Sequence, residues 1–244
     1  MRLTRSHVAL PLRCDQEVTL PEESANHLLR VLRLREGDAC ILFNGDGSDY
    51  HARITVAGKR EARALIERAD MLSNESPLRI TLLQGIARGE KMDLILQKAT
   101  ELGVTAIVPV NAERTEVKLD AARMEKRVAH WRNVVVSACE QSGRARVPTV
   151  AAPLGLQEAA QTSDPQVRRL TLDPQGEHRL STLRADVEQG LIVAIGPEGG
   201  WSPRDRATLA DAGFTGLQLG PRILRTETAG LAAIAALQAR FGDL

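Results

Sequence analysis

The sequence predicts a protein of α/β class in two parts, a small N-terminal β-barrel followed by an α/β domain built on a parallel sheet. Three observations predict it. The chain has 244 residues, more than one average domain of roughly 100 to 150. Up to about Leu72 the hydrophobic pattern is one of short strands separated by turn-rich pieces. After Pro77 near-continuous apolar runs alternate with amphipathic helices, the pattern of a parallel sheet covered on both faces.

In the first part, strands are expected at His7–Leu12, Ala39–Asn44, His51–Ala57 and Ala62–Ala69. Arg-Glu-Gly-Asp at 35–38 and Asn-Gly-Asp-Gly-Ser at 44–48 supply turns. Between them Pro21–Leu34 reads as one helix, with Ala25, Leu28, Leu29, Val31 and Leu32 on a common face and Pro21 tolerated in the first turn. Arg30, Arg33 and Arg35 project from that helix and its exit, either as a solvated face or as an edge that contacts phosphate. The polar stretch Ser73-Asn-Glu-Ser-Pro77 reads as a linker. The domains are therefore expected at 1–72 and 78–244.

In the second part, strands are expected at Leu78–Gln84, Val104–Val110, Arg169–Leu172, Leu191–Ile195 and Gly216–Leu219. Helices are expected at Glu90–Leu102, Asp120–Glu140, Pro203–Ala212 and Thr226–Phe241. Ligands of such sheets sit at the carboxyl ends of the strands, so the segments after Ile195 and Leu219 are where chemistry is to be sought.

Composition narrows the function classes. Thirty-two Lys plus Arg face 31 Asp plus Glu, so no global field draws the chain to nucleic acid or to an anionic membrane. Six aromatic residues are too few for a surface that stacks successive bases on rings. Cys14, Cys40 and Cys139 are scattered, which favours small buried thiols over a disulfide framework or a structural zinc site. The five histidines are dispersed and suggest no metal. No apolar run reaches the 18 or so residues of a membrane span, and no signal-peptide pattern follows Met1. A cytoplasmic protein is expected.

Two loops carry the strongest signal. Gly196-Pro-Glu-Gly-Gly200 follows an apolar strand directly, and its glycines let a ligand approach the main chain. It is either a ligand loop or a sharp turn before the next helix, and it is not the dinucleotide fingerprint. The second loop, Leu219-Gly-Pro-Arg-Ile-Leu-Arg-Thr-Glu-Thr-Ala229, offers an apolar shelf at Ile223-Leu224. Thr226 suits the N-cap of the last helix, and Glu227 suits its first turn. Arg225 does not fit that scheme, because a cation beside a helix N-terminus is unfavourable; it points to an anion or an anionic intermediate. Gly85-Ile-Ala-Arg-Gly-Glu-Lys91 lacks nucleotide phosphate-loop spacing, which leaves Arg88, Lys91 and Lys98 as a basic cluster. A second basic run, Asp120–Arg146, ends in Glu140-Gln-Ser-Gly-Arg144.

QKATELGV at 97–104, Glu140-Gln-Ser-Gly-Arg144, Gly196-Pro-Glu-Gly-Gly200 and Leu219–Ala229 together resemble the ribosomal RNA small subunit methyltransferase E (RsmE) family of the SPOUT superfamily. His27-Leu-Leu-Arg-Val-Leu-Arg33 is similar to that family's PUA-like domain, so the resemblance spans nearly the whole chain. It implies a SPOUT domain with a deep trefoil knot, and a homodimer. It further implies an S-adenosylmethionine-dependent enzyme that methylates N3 of a uridine in 16S ribosomal RNA of the small ribosomal subunit. The cofactor is expected on Gly196, Pro197, Glu198, Gly199 and Gly200, and on Leu219, Gly220, Ile223, Leu224, Thr226, Thr228 and Ala229. Arg225 is expected to stabilise charge on the uridine, and Glu198 is the second catalytic candidate, as acceptor of its proton. Arg30, Arg33, Arg88, Lys91 and Arg144 are expected on RNA. The competing class is a non-catalytic RNA- or nucleotide-binding protein on the same scaffold.

Overall fold

The computed structural model describes residues 3–58, 61–116, 121–161, 167–184 and 189–244. Asp120, expected to begin a helix, lies outside them. The chain forms two compact units, Met1–Glu75 with Cys139–Val147, and Ser76–Ala138 with Pro148–Leu244.

The first unit contains β1 Arg5–His7, β2 Glu17–Thr19, α1 Glu22–Ala25 continuing as a π-helical turn Asn26–Val31, β3 Ala39–Phe43, β4 Ser48–Ala57 and β5 Ala62–Met71. The sheet order is β1-β3-β4-β5-β2, with β1 parallel to β3 and the other pairs antiparallel. Register shifts at His51/Ala52 and Ile54/Val56 interrupt the long β4–β5 ladder, and such bulges bend a strand around a core. That core is aliphatic: Leu28, Leu42, Ile54 and Ile66 are all sealed from solvent.

Three expectations change here. The strand expected over His7–Leu12 ends at His7, because Pro11 has no N–H with which to extend a ladder; Val8 and Leu12 enter the core as loop residues. Glu17–Thr19 is a three-residue edge strand, too short to show alternation. The helix expected over Pro21–Leu34 is α-helical only to Ala25. Pro21 is its N-cap, and the following turn widens, with the Leu32 N–H donating to the His27 carbonyl at 3.0 Å. The extra residue per turn rotates Val31 and Leu32 off the core face, leaving them 67% and 41% exposed.

The segment Cys139–Val147 packs with this unit through Cys139 and Ala145 against Phe43. Its polar residues are held equally firmly. Arg144 is buried and paired with Glu75 (Nη2 to Oε2, 2.5 Å), and its carbonyl accepts from Arg5, whose own guanidinium pairs with the buried Asp49. The Glu140 carboxylate accepts from the His7 N–H at 2.9 Å. Burial pushes the Cys40 and Cys139 thiols up to about 12, as expected of inert core cysteines, whereas Cys14 is exposed.

The second unit contains β6 Ile80–Gly85, α2 Glu90–Glu101, β7 Ala106–Asn111, α3 Ala121–Ser142 (the end of which belongs to the first unit), β8 Thr149–Val150, β9 Leu154–Gly155, α4 Leu156–Gln161, β10 Arg168–Leu172, β11 His178–Arg179, a 3-10 turn Leu180–Thr182, β12 Leu191–Ile195, α5 Pro203–Asp211, β13 Thr215–Gln218 and α6 Thr226–Phe241. The strands are parallel in the order β11-β13-β10-β12-β6-β7-β8, and β9 also pairs with β7. Every strand and helix expected in this part is present within a few residues. Ile192 and Ala194 of β12 pack with α4 and α5. Ile195, of opposite parity, lies against Gly230 of α6. Alternate residues of a strand point to opposite faces, so the central strand is covered on both sides, as its unbroken apolar sequence requires.

Candidate active site

The order of the central strands brings the ends of β12 and β6 side by side, with β10 and β13 beyond β12. At their carboxyl ends lies a cavity of about 560 Å³, within the range of small-molecule sites, roughly 300 to 1,000 Å³. It is lined by the whole run Ile195–Trp201, by Leu219 and Gly220, and by Arg222–Glu227 with Ala229. Of the expected cofactor residues only Thr228 is absent from the lining; it is exposed on the outer side of α6.

The two loops are locked by a short chain of hydrogen bonds. The Thr226 hydroxyl donates to the Gly196 carbonyl at 2.6 Å and accepts from the Gln84 amide at 3.1 Å, and Gln84 also donates to the Gly85 carbonyl at 2.9 Å. Thr226 is therefore not the N-cap. That position belongs to Arg225, in extended geometry and without a side-chain capping bond, which frees the Thr226 hydroxyl to tie loop to loop. The approach of Gly85 to the first loop is so close that an added Cβ would lie 2.5 Å from the Pro197 nitrogen. Gly200 has φ +63°, a conformation side chains disfavour. Gly199 lines the cavity, and its missing Cβ also makes room for Arg114 at 3.1 Å, which in turn donates to its carbonyl.

Charge in the cavity is mixed and mostly committed. Arg206 pairs with Asp173. Lys91 stands 3.7 Å from both Glu198 and Glu227. Glu198 is exposed, as its neighbours suggest, and its carboxylate accepts from the Arg88 N–H at 3.0 Å. Partial burial works to raise its pKa, but the N–H groups of Arg88 and Glu198 itself, with the charges of Lys91 and Arg88, hold it below the usual carboxylate range. A carboxylate so stabilised is a poor proton acceptor. Arg225 is exposed at the cavity, and among the described residues its guanidinium has no hydrogen-bond or ion-pair partner. Glu227 Oε2 is shielded from solvent and accepts no hydrogen bond, its ion-pair partner Lys91 standing 3.7 Å away.

The expected RNA residues separate. Arg30 and Arg33 are exposed. Arg88 is exposed but paired with Glu116, and Lys91 belongs to the cavity rim. Arg144 is 6% exposed and held by Glu75, so it is not presented to a phosphate. Sequence reasoning missed Gln84, whose signal was an amide inside an apolar strand, and Asp173, whose signal was its place after β10. Trp201 lines the cavity while its indole donates to Thr171 at 3.0 Å. Among the described residues no group of three His, Cys, Asp or Glu side chains is placed to hold a metal, and no helix is long and apolar enough to cross a membrane.

Residues 74–238 match the RNA methyltransferase domain family and residues 20–67 the RNA methyltransferase PUA domain family. A ribosomal RNA small subunit methyltransferase E of Buchnera aphidicola is 31% identical over 243 residues, covering 100% of this chain and 98% of its own. The crystal structure of the Neisseria gonorrhoeae protein of the same name, bound to S-adenosyl methionine, is 44% identical with a TM-score of 0.92, and each chain covers 100% of the other. A Legionella pneumophila methyltransferase in complex with the same cofactor is 34% identical with a TM-score of 0.94, again over 100% of both chains. With these likenesses the fold is that of a PUA-like domain joined to a SPOUT α/β trefoil-knot domain.

Proposed function

Since the chain belongs to the ribosomal RNA small subunit methyltransferase E family, we propose that it is an S-adenosylmethionine-dependent enzyme that methylates N3 of a uridine in 16S ribosomal RNA. The observation that carries this reading is the cavity itself, whose two main-chain loops are locked together at Thr226 and whose second loop presents the exposed cation Arg225 directly before the helix start. The cofactor fits it by size, by the apolar side chains of Leu219, Ile223 and Leu224 in its lining, and by a Glu227 oxygen that accepts no hydrogen bond. The loops 196–200 and 219–226 with Ala229 are its proposed holders, and Thr228 supports the helix start from outside.

When bound, the cofactor supplies an electrophilic methyl group on a sulfonium. The chain's own task is to prepare the nucleophile. Uridine N3 carries a proton at neutral pH, and its loss leaves negative charge spread over the base. The Arg225 guanidinium at the cavity mouth stabilises that charge, and such preorganised electrostatics is usually the largest catalytic contribution. Glu198, held as an anion by Arg88 and Lys91, positions the first loop rather than taking the proton.

With domains read at 1–72 and 78–244 about a 73–77 linker, and the segment Cys139–Val147 packed with the first unit, RNA contact is assigned chiefly to the first domain and chemistry to the second. A homodimer is proposed through α6. Its Ala229, Gly230, Ala233, Ile234 and Leu237 are consumed within the unit, while Leu231, Ala232, Ala235 and Ala236 form a half-exposed small-residue stripe for a second copy. Light scattering should return about twice the 26.5 kDa of one chain. The protein works in the cytoplasm, on the small subunit or its RNA. Calorimetry tests the cofactor reading: one S-adenosylmethionine per chain supports it, and no heat with a folded protein refutes it.

A further inference from the structure

The turn after α1 is built for something other than stability. The Leu34 N–H reaches back to the Leu28 carbonyl at 3.0 Å, and the Leu32 N–H to the His27 carbonyl at the same distance, so residues 31–33 stand out as a tip. Arg33 closes the turn at φ +59°, the left-handed position that glycine ordinarily fills at a helix end. Val31 and Leu32 are 67% and 41% exposed on that tip, although an ordinary α-turn would have kept them on the core face. Arg30, Arg33 and Arg35 flank them, all exposed and, among the described residues, with no hydrogen-bond or ion-pair partner for their side chains. The neighbouring Asp38 carboxylate is occupied by the Arg35 N–H at 2.7 Å.

Two apolar side chains held outward between uncommitted guanidiniums match a strand with charged backbone and apolar base faces. We propose that the Val31-Leu32-Arg33 tip is an RNA contact in which Val31 and Leu32 pack against an unstacked base while Arg30, Arg33 and Arg35 hold the adjoining phosphates. This rests on the RNA reading above and adds to it the apolar pair and the reason for the widened turn. Aliphatic wedges of this kind work against base steps elsewhere, and they need no ring, which suits a chain with six aromatic residues. An arginine in a glycine position costs backbone energy that only a used side chain justifies.

The test is filter binding of full-length protein to protein-free 16S ribosomal RNA at several salt concentrations. Val31→Ser/Leu32→Ser should weaken binding on the order of tenfold with an unchanged salt slope, because the lost contacts are apolar. Arg33→Gly should hold or raise the melting temperature while weakening binding and lowering the log–log slope by about one. Wild-type affinity in the Val31/Leu32 variant, or a loss seen only with assembled subunits, overturns the proposal and leaves the RNA reading intact. Absence of RNA binding by the wild-type protein overturns both.

Discussion

The cavity loops of the second unit and the 26–34 turn of the first, the two proposed binding regions, are built by opposite means. At 196–200 and 219–226 the main chain is the recognition surface: glycines clear space, a buried threonine bridges two loops, and most charged side chains are already paired. In the 26–34 turn the main chain is strained and the side chains are the surface, exposed and uncommitted. A small cofactor has one shape and rewards a rigid mould. A nucleic-acid strand offers repeated charge and variable bases, and rewards projecting side chains that add contacts one by one.

The largest test of this contrast is at a place where it is crossed, the exposed Arg225 at the start of α6. Arg225→Ala should lower the single-turnover methylation rate by about two to three orders of magnitude with little change in cofactor affinity. An equal loss in binding and rate would make Arg225 part of the mould. Next, Arg144→Ala should destabilise the first unit by about 3 to 5 kcal/mol in urea unfolding, since it strands the largely buried Glu75 carboxylate while leaving the main-chain carbonyl that Arg5 uses. It should leave the salt slope of RNA binding unchanged; a lower slope would return Arg144 to the RNA surface.

A smaller effect is expected from Thr226→Val, which leaves the Gly196 carbonyl and one of the two Gln84 amide hydrogens unpaired at about 1 to 3 kcal/mol. Cofactor affinity by calorimetry should fall about tenfold while RNA affinity stays the same. The smallest effect is a pH dependence in the first unit. Burial lowers the His7 pKa below 6.5, against the opposing pull of Glu140 and Glu23, so the unfolded chain binds more protons in that window. The stability from neutral His7 is present above pH 6.5 and is lost as pH falls through the folded-state value. Urea unfolding of His7→Gln should be flatter than wild type between pH 7 and 5.

Legibility in the sequence followed the same divide. The α/β unit was readable because its strands are buried on both faces and its loops are punctuated by glycine and proline, so Leu191–Ile195 and Thr226–Phe241 appear where expected. The first unit was readable only in its long strands. Periodicity of 3.6 placed Val31 and Leu32 inside, and nothing in the residue types announces a π-turn. The Arg144 motif was visible, but its role was not, because its partners Glu75 and Arg5 lie 69 and 139 residues away. That Arg114 also packs against Gly199 is beyond the sequence, because the two lie 85 residues apart.

The central claim is that the second unit's cavity carries methyl transfer to a uridine, with Arg225 as its charge-stabilising group. The direct measurement is incubation with methyl-labelled S-adenosylmethionine and small-subunit ribosomal RNA, followed by nucleoside analysis of the product in wild type and Arg225→Ala. The account predicts label in 3-methyluridine for wild type, and an initial rate of its formation about two to three orders of magnitude lower for the variant. Label in a ribose, a purine or another uridine position, no label in RNA at all, or equal rates from the two proteins would contradict it.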